Sequence, residues 1–314
     1  MRDHRSGPSC TTNVGGSALL ALLLVAGPAG AVDEVAPGVF VREGVHEPMT
    51  AENAGAVANG GFVVGGRSVA VIDPGGSVEA GRALLAELRA RTALPVSHVV
   101  VTHMHPDHAF GTGAFDGAGE GGGDPLVVGH RRLDRAFAAR IDGYRESNRA
   151  RMGAMVDAVE AAPTDLAVED GAVVDLGDRT LSLRAWPTGH TDNDLTVLDE
   201  ATGTLFAGDL VFSEHLPALD GSLVGWLAVM DALAEVPAER VVPGHGPAAL
   251  PWPDALAPQR AYLEGLAASL RAAIAEGVPM AEAVEAIPPP AGWKRVEVFH
   301  RRNLTAGYAE LEWE

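Results

Sequence analysis

Cysteine is nearly absent from this chain: among 314 residues only Cys10 carries a thiol. Long apolar runs are absent too. The most apolar stretch, residues 18–26 (ALLALLLVA), is too short to span a bilayer well. Arg2 and Arg5 precede it, and Ala29, Gly30 and Ala31 follow with a small-x-small pattern. Together these read as a secretory signal cleaved after Ala31. The expectation is a periplasmic or secreted mature chain, residues 32–314, with no stable membrane span. Because Cys10 lies inside the signal, that mature chain has no disulfide, no thiolate metal ligand and no cysteine nucleophile. Positive charge is scarce, with 23 Lys and Arg against 42 Asp and Glu and a formal charge of −19. Such a balance excludes nucleic acid and argues against an anionic membrane surface as partner. Most of the acidity reads as solubility. Aromatics make up only 5%, whereas the 38 glycines suit tight turns and small-residue packing.

What is present is an ordered series of short apolar runs. Residues 39–41, 62–64 and 68–73 are β-rich and separated by turns such as Gly65-Gly66, a hairpin signal. Ser77 stands where a cap belongs, ahead of a helix over 78–91. Residues 96–101 (VSHVVV) form a continuous run suited to a buried strand. Further strands are expected near 126–128, 181–186, 195–198, 204–207 and 240–242. Helices are expected over 131–156, 222–235, 254–276 and 296–311. Strands followed by helices recur in both halves, which fits an α/β (α+β) αββα sandwich of two mixed sheets flanked by helices. The mature chain reads as a single domain with a helical insertion at about 129–164 and a C-terminal helical extension at about 254–314.

The chemistry concentrates after the buried strand at 96–101. His103, His105, Asp107 and His108 fall within six residues. In extended chain 103 and 105 point to one side, and the next two groups can turn toward a second point. Neutral imidazole and carboxylate are zinc ligands. Three further candidates each follow an expected strand and sit beside glycine: His190 after Gly189, Asp209 after Gly208 and His245 after Gly244. Glycine permits close backbone approach to a crowded site. Two metals held there could share one water, lower its pKa and polarise a carbonyl. Asp107 is the candidate to orient that water and shuttle its proton.

The pattern His103-x-His105-x-Asp107-His108, then His190, Asp209 and His245 in that order, resembles the signature of the metallo-β-lactamase superfamily. The resemblance implies one metal on His103, His105 and His190, a second on Asp107, His108 and His245, and Asp209 bridging both with a hydroxide between them. Two Zn²⁺ are implied, with iron or a mixed pair as alternatives. One group of zinc β-lactamases uses a cysteine ligand, which this mature chain lacks. Diiron members usually carry Glu where His105 stands. Asp209 as a bridge resembles glyoxalase II, lactonases and related esterases.

Residues 52–61, 69–77, 103–115 and 215–226, with the carboxyl end from Arg302 to Glu312, resemble the quinoprotein relay system zinc metallohydrolases, similar to those found with sulfur-oxidation systems. That implies a small-molecule substrate of ester, thioester or lactone type. It also implies association with a periplasmic quinoprotein dehydrogenase or its cytochrome. The competing readings are a mononuclear-iron sulfur dioxygenase, a β-lactamase and a non-catalytic metal-stabilised partner protein.

His215 and Tyr144 are expected at the substrate. His98 and His130 read as structural, and His46 and His300 have no ligand-like context. Asp220 reads either as part of a helix cap or as a hydrogen-bond partner of a ligand histidine. Arg131, Arg132, Arg135, Arg140, Arg145, Arg149 and Arg151 read as a charge-paired solvated face, or as a lid for an anionic substrate or acidic partner.

Overall fold

Short β-branched runs and glycine turns fold into two sheets. The computed structural model describes Met1, residues 32–160 and residues 162–314, so the expected export signal, Cys10 included, lies outside the described residues apart from Met1. The first sheet contains β1 (Val32–Ala36), β2 (Val39–Arg42), β3 (Gly60–Val64), β4 (Val69–Ile72), β5 (Val96–Val100), β6 (Leu126–His130) and β7 (Leu166–Val168), in chain order. The pairs from β1 to β4 are antiparallel and those from β4 to β7 parallel. The second sheet contains β8 (Gly171–Asp175), β9 (Thr180–Ala185), β10 (Leu195–Asp199), β11 (Thr204–Phe212), β12 (Arg240–His245) and β13 (Leu250–Pro251). Only β11 and β12 pair in parallel there. The helices are α1 (Val78–Arg91), α2 (Pro106–Ala109), α3 (Leu133–Met152), α4 (Leu223–Ala234), α5 (Ala257–Ala275), α6 (Met280–Ala286) and α7 (Val296–Leu311).

The two-residue period of the strands assigns their faces. On β4, Ala70 and Ile72 join the core between the sheets with Val63, Val100, Leu183, Val197 and Phe206. Val69 and Val71 point the other way, onto Leu84 and Leu88 of α1. Across the second sheet, Leu205, Ala207 and Val241 meet Trp226, Leu263 and Leu304 from α4, α5 and α7. Strands buried on both faces read as unbroken apolar runs, which is why β4 stands out in the sequence. The layers are those of the expected αββα sandwich.

Ser77 caps α1 as expected, its side chain accepting from the Ala80 amide, and Ser222 caps α4 by accepting from Gly225. The 131–156 helix is α3 followed by a 3₁₀ turn at Gly153–Ala158. β1, β7, β8, β13 and α6 have no counterpart in the sequence reading. Among the described residues, no helix is long and apolar enough to cross a membrane.

One buried ion pair ties the two sheets together. Arg179 donates to Asp199 through Nε at 2.7 Å and Nη2 at 2.6 Å, and through Nη1 to the Val64 carbonyl at 3.2 Å. Their side chains are 10% and 0% exposed. Burial raises the Asp199 pKa, but the hydrogen bonds from Arg179 and Thr202 outweigh it and the net direction is downward. A lowered folded-state value stabilises above the ordinary carboxylate value of 3.8, and the contribution fades as pH falls through the lowered value. Asp199→Asn should leave the guanidinium uncompensated and cost about 3–5 kcal/mol. Urea unfolding at pH 7 checks the size, and the same series at lower pH should show the gap to wild type narrowing.

Candidate metal centre

The site forms along the edge where both sheets end. His103 and His105 follow β5, and Pro106 starts the single turn of α2, which swings Asp107 and His108 back over the same point. His190 lies between β9 and β10, Asp209 lies within β11, and His245 ends β12. Two glycines make room. A Cβ on Gly244 would lie 1.9 Å from Asp209 Oδ1, and Gly208 has φ +51° with Thr102 against it. Both backbones pass where no larger residue fits.

Each of the five histidines has one nitrogen tied outward. His103 Nδ1 meets Thr102 Oγ1 at 3.0 Å, His105 Nε2 meets Asp220 Oδ2 at 3.1 Å, and His108 Nδ1 meets Asp73 Oδ2 at 2.8 Å. His190 Nδ1 meets the Ala218 carbonyl at 2.6 Å, and His245 Nδ1 meets the Val57 carbonyl at 3.0 Å. Thr102 Oγ1 itself donates to Asp73 Oδ2 at 2.7 Å, so its lone pair is left to accept from His103. Carbonyl, carboxylate and that oxygen all accept, so every outward nitrogen carries a proton, and the inward nitrogens of His103, His105 and His190 are left as lone pairs.

The inward atoms form two groups. His103 Nε2 and His190 Nε2 each lie 3.0 Å from His105 Nδ1, and 3.7 and 3.4 Å from Asp209 Oδ2. His108 Nε2 and His245 Nε2 lie 3.1 and 3.6 Å from the other oxygen, Asp209 Oδ1, and His245 Nε2 lies 3.4 Å from Asp107 Oδ2. Within each group the donor atoms lie inside 4.8 Å of one another. Donors bound to one ion at about 2.0–2.2 Å are separated by such distances. Lone pairs facing one another at 3.0 Å repel unless a cation lies between them, and His108 Nε2 and Asp209 Oδ1 are buried without any hydrogen-bond partner. The residues therefore fit a pair of metal ions.

Electrostatics agree. Burial holds His190 at about 3 and, with the neighbouring histidines, holds His103 well below its ordinary value, so both are neutral ligands. Burial opposes protonation of His108 and His245 also, but Asp209 with Asp73 and Asp107 outweighs it at His108, and Asp209 with Asp107 raises His245 to about 9. Protons held there are what a cation displaces, so metal affinity falls with falling pH.

The sequence-chosen ligands His103, His105, Asp107, His108, His190, Asp209 and His245 thus all converge. His215 is in neither donor group; it stacks on His245 with centroids 4.6 Å apart and lines a cavity of about 520 Å³ above the metal donors. Tyr144 lines the same cavity, and its hydroxyl is buried without a partner. Asp220 is the partner of His105, while Ser222 makes the helix cap. His98 and His130 bond to Ser97 and to the Arg132 amide, away from the site. His300 is buried on α7 beside Tyr262. His46 contacts Glu214 at 3.4 Å.

In the Arg-rich segment, Arg131, Arg135, Arg145 and Arg149 pair with Glu169, Asp192, Asp142 and Asp157. Arg132 donates to the Asp192 carbonyl, and Arg140 pairs with Asp220. Only Arg140 and Arg151 of the seven line the cavity. Sequence reasoning missed Asp73, which orients His108 and Thr102. Its one signal was an acidic residue at the end of the buried strand β4.

Asp220→Ala is expected to weaken metal binding roughly 10–100-fold by freeing the His105 ring. Competition with a chelating dye measures this, and unchanged affinity would refute the orienting role.

The model of the Metallo-beta-lactamase superfamily matches residues 55–245. The acyl-coenzyme A thioesterase MBLAC2 of Bos taurus is 29% identical over 170 residues, 46% of this chain and 54% of that protein. A hydroxyacylglutathione hydrolase of Cupriavidus taiwanensis is 28% identical over 186 residues, 57% and 59% of the two chains. The chain thus spans little more than half the length of these relatives. Among solved structures, a beta-lactamase domain protein from Burkholderia ambifaria superposes with a TM-score of 0.66 at 24% identity, covering 91% of this chain and 89% of that one. The sec-alkylsulfatase Pisa1 from Pseudomonas sp. gives 0.67 at 17%, covering 90% and 50%. These two likenesses show the fold.

Proposed function

The chain belongs to the metallo-β-lactamase superfamily, and on that footing we propose that it is an exported dinuclear zinc hydrolase of a small ester, thioester or lactone. The observation that carries this reading is the split carboxylate of Asp209, which presents one oxygen to each donor group. Two zinc ions, when bound, supply a polarised carbonyl and bring the pKa of water near neutrality.

The protein's own groups do the rest. Asp107 lines the cavity beside His245. Burial raises its pKa, but His108 and His245 outweigh that and keep it ionised, ready to take the proton of the attacking water. Burial pushes the Tyr144 hydroxyl up, so it stays protonated and can donate to the oxygen that gains charge. Burial holds His215 neutral, at about 3, where it presents a flat wall to substrate.

Thioester or ester cleavage is supported by two relatives named for acyl-coenzyme A and hydroxyacylglutathione. Export is supported by the pattern of residues 1–31. A role beside a periplasmic quinoprotein dehydrogenase or its cytochrome is supported by the resembling stretches at 52–61, 69–77, 103–115 and 215–226. Turnover of a thioester, ester and lactone panel by zinc-loaded and chelator-stripped protein tests the reading. Activity that vanishes on stripping and returns with zinc is expected; hydrolysis undiminished in metal-free protein would overturn it.

A further inference from the structure

The cavity has a second end, built by the C-terminal helix. α7 and the residue before it contribute Arg295, Val298, Phe299 and Arg302 to the wall, all beyond the stretch 55–245 that the superfamily model matches. Rings lead there from the metal donors. His215 stacks on His245 at 4.6 Å, Phe299 lies 5.0 Å from His215, and the guanidinium groups of Arg295 and Arg302 lie 5.9 and 5.8 Å from the Phe299 centroid. Arg151 reaches the same cavity from α3.

These cations stand apart in an acidic chain whose other arginines along α3 are mostly paired. Among the described residues, neither Arg302 nor Arg151 has a carboxylate within ion-pair distance. Arg151 donates only to the Met49 carbonyl and Asn148 Oδ1, which aim its fork without neutralising it. Arg295 is 15% exposed, yet its one acidic neighbour is Glu297, 3.9 Å away and itself 74% exposed. Glu47 lines the cavity but pairs with none of the three. Of the three, Arg295 is the one largely withdrawn from water, while Arg151 and Arg302 are exposed; a ligand's anion would compensate Arg295 and give all three guanidinium groups the charged hydrogen-bond partner they lack. The cavity wall also carries the apolar side chains of Met49, Val57, Phe212, Leu219 and Val298.

Resting on the hydrolase reading, we propose that the substrate carries an anionic group, a carboxylate or a phosphate, set off from the reacting carbonyl by an apolar arm. Arg295 and Arg302, with Arg151, bind that group.

The test is calorimetric binding of three matched non-hydrolysable thioether analogues to the zinc-loaded protein. One is uncharged, one ends in a carboxylate on the acyl side, and one carries a phosphate on the thiol side. At least one charged analogue should bind tenfold or more tightly than the uncharged one. Arg302→Gln, at an exposed position that folding tolerates, and Arg295→Gln should each remove about tenfold of that advantage. Equal binding of all three analogues would overturn the proposal, as would variants that weaken all three alike. Turnover of the matching thioesters is scored separately. Anion-selective binding without turnover upholds the anion site and sinks the hydrolase reading, whereas turnover with no anion selectivity does the reverse.

Discussion

Asp209→Ala is expected to empty both metal positions together and to lower kcat/KM by roughly a thousandfold or more. Its carboxylate is the only donor shared by the two groups, with Oδ2 3.4 Å from His190 Nε2 and Oδ1 3.1 Å from His108 Nε2. Without it, one site is left with three neutral imidazoles and no anion. The other keeps two imidazoles and Asp107. Each would have to hold a dication against its twin with no negative charge between them. His245→Ala gives the contrast, because it removes a donor from one group alone and should cost one ion per chain. Metal content and kcat/KM measured on both variants separate these outcomes. An Asp209→Ala protein that retained one tightly held ion would show that the groups bind independently.

Asp107→Asn should leave metal largely bound and lower kcat about 10²–10⁴-fold. The amide oxygen can still face the ion, but the side chain can no longer take up a proton. Asp107 is suited to both roles because α2 is a single turn: it places Asp107 within reach of His245 Nε2 while leaving the side chain on the cavity wall. If the substitution strips metal and the residual rate merely follows the remaining content, Asp107 is a ligand and not the proton acceptor.

The seven converging residues were legible because their identities are rare together and each lies after, or like Asp209 and His245 within, a strand that can be seen in sequence. His103 to His108 lie side by side, and glycine marks the approach to His190, Asp209 and His245. The groups that aim them were harder to see. Asp73 is 35 residues from the His108 ring that it holds. His190 and His245 are held by the carbonyls of Ala218 and Val57, which every residue type possesses. β7 has three residues, and β8 exposes Val173, so neither shows the unbroken apolar run that exposed β4. The charge-paired reading of the Arg-rich segment holds for most of its arginines, because α3 faces acids on neighbouring loops such as Asp192 and Glu169. The cations that line the far end of the cavity come largely from α7, where no local pattern distinguishes Arg295 and Arg302 from other surface arginines.

Elemental analysis of the protein, purified without added metal and then titrated with zinc, tests the central claim most directly. Two zinc ions per chain, with hydrolysis rising as they fill, is the predicted result. A single ion at saturation, or stoichiometric iron with oxygen uptake and no hydrolysis, would contradict it.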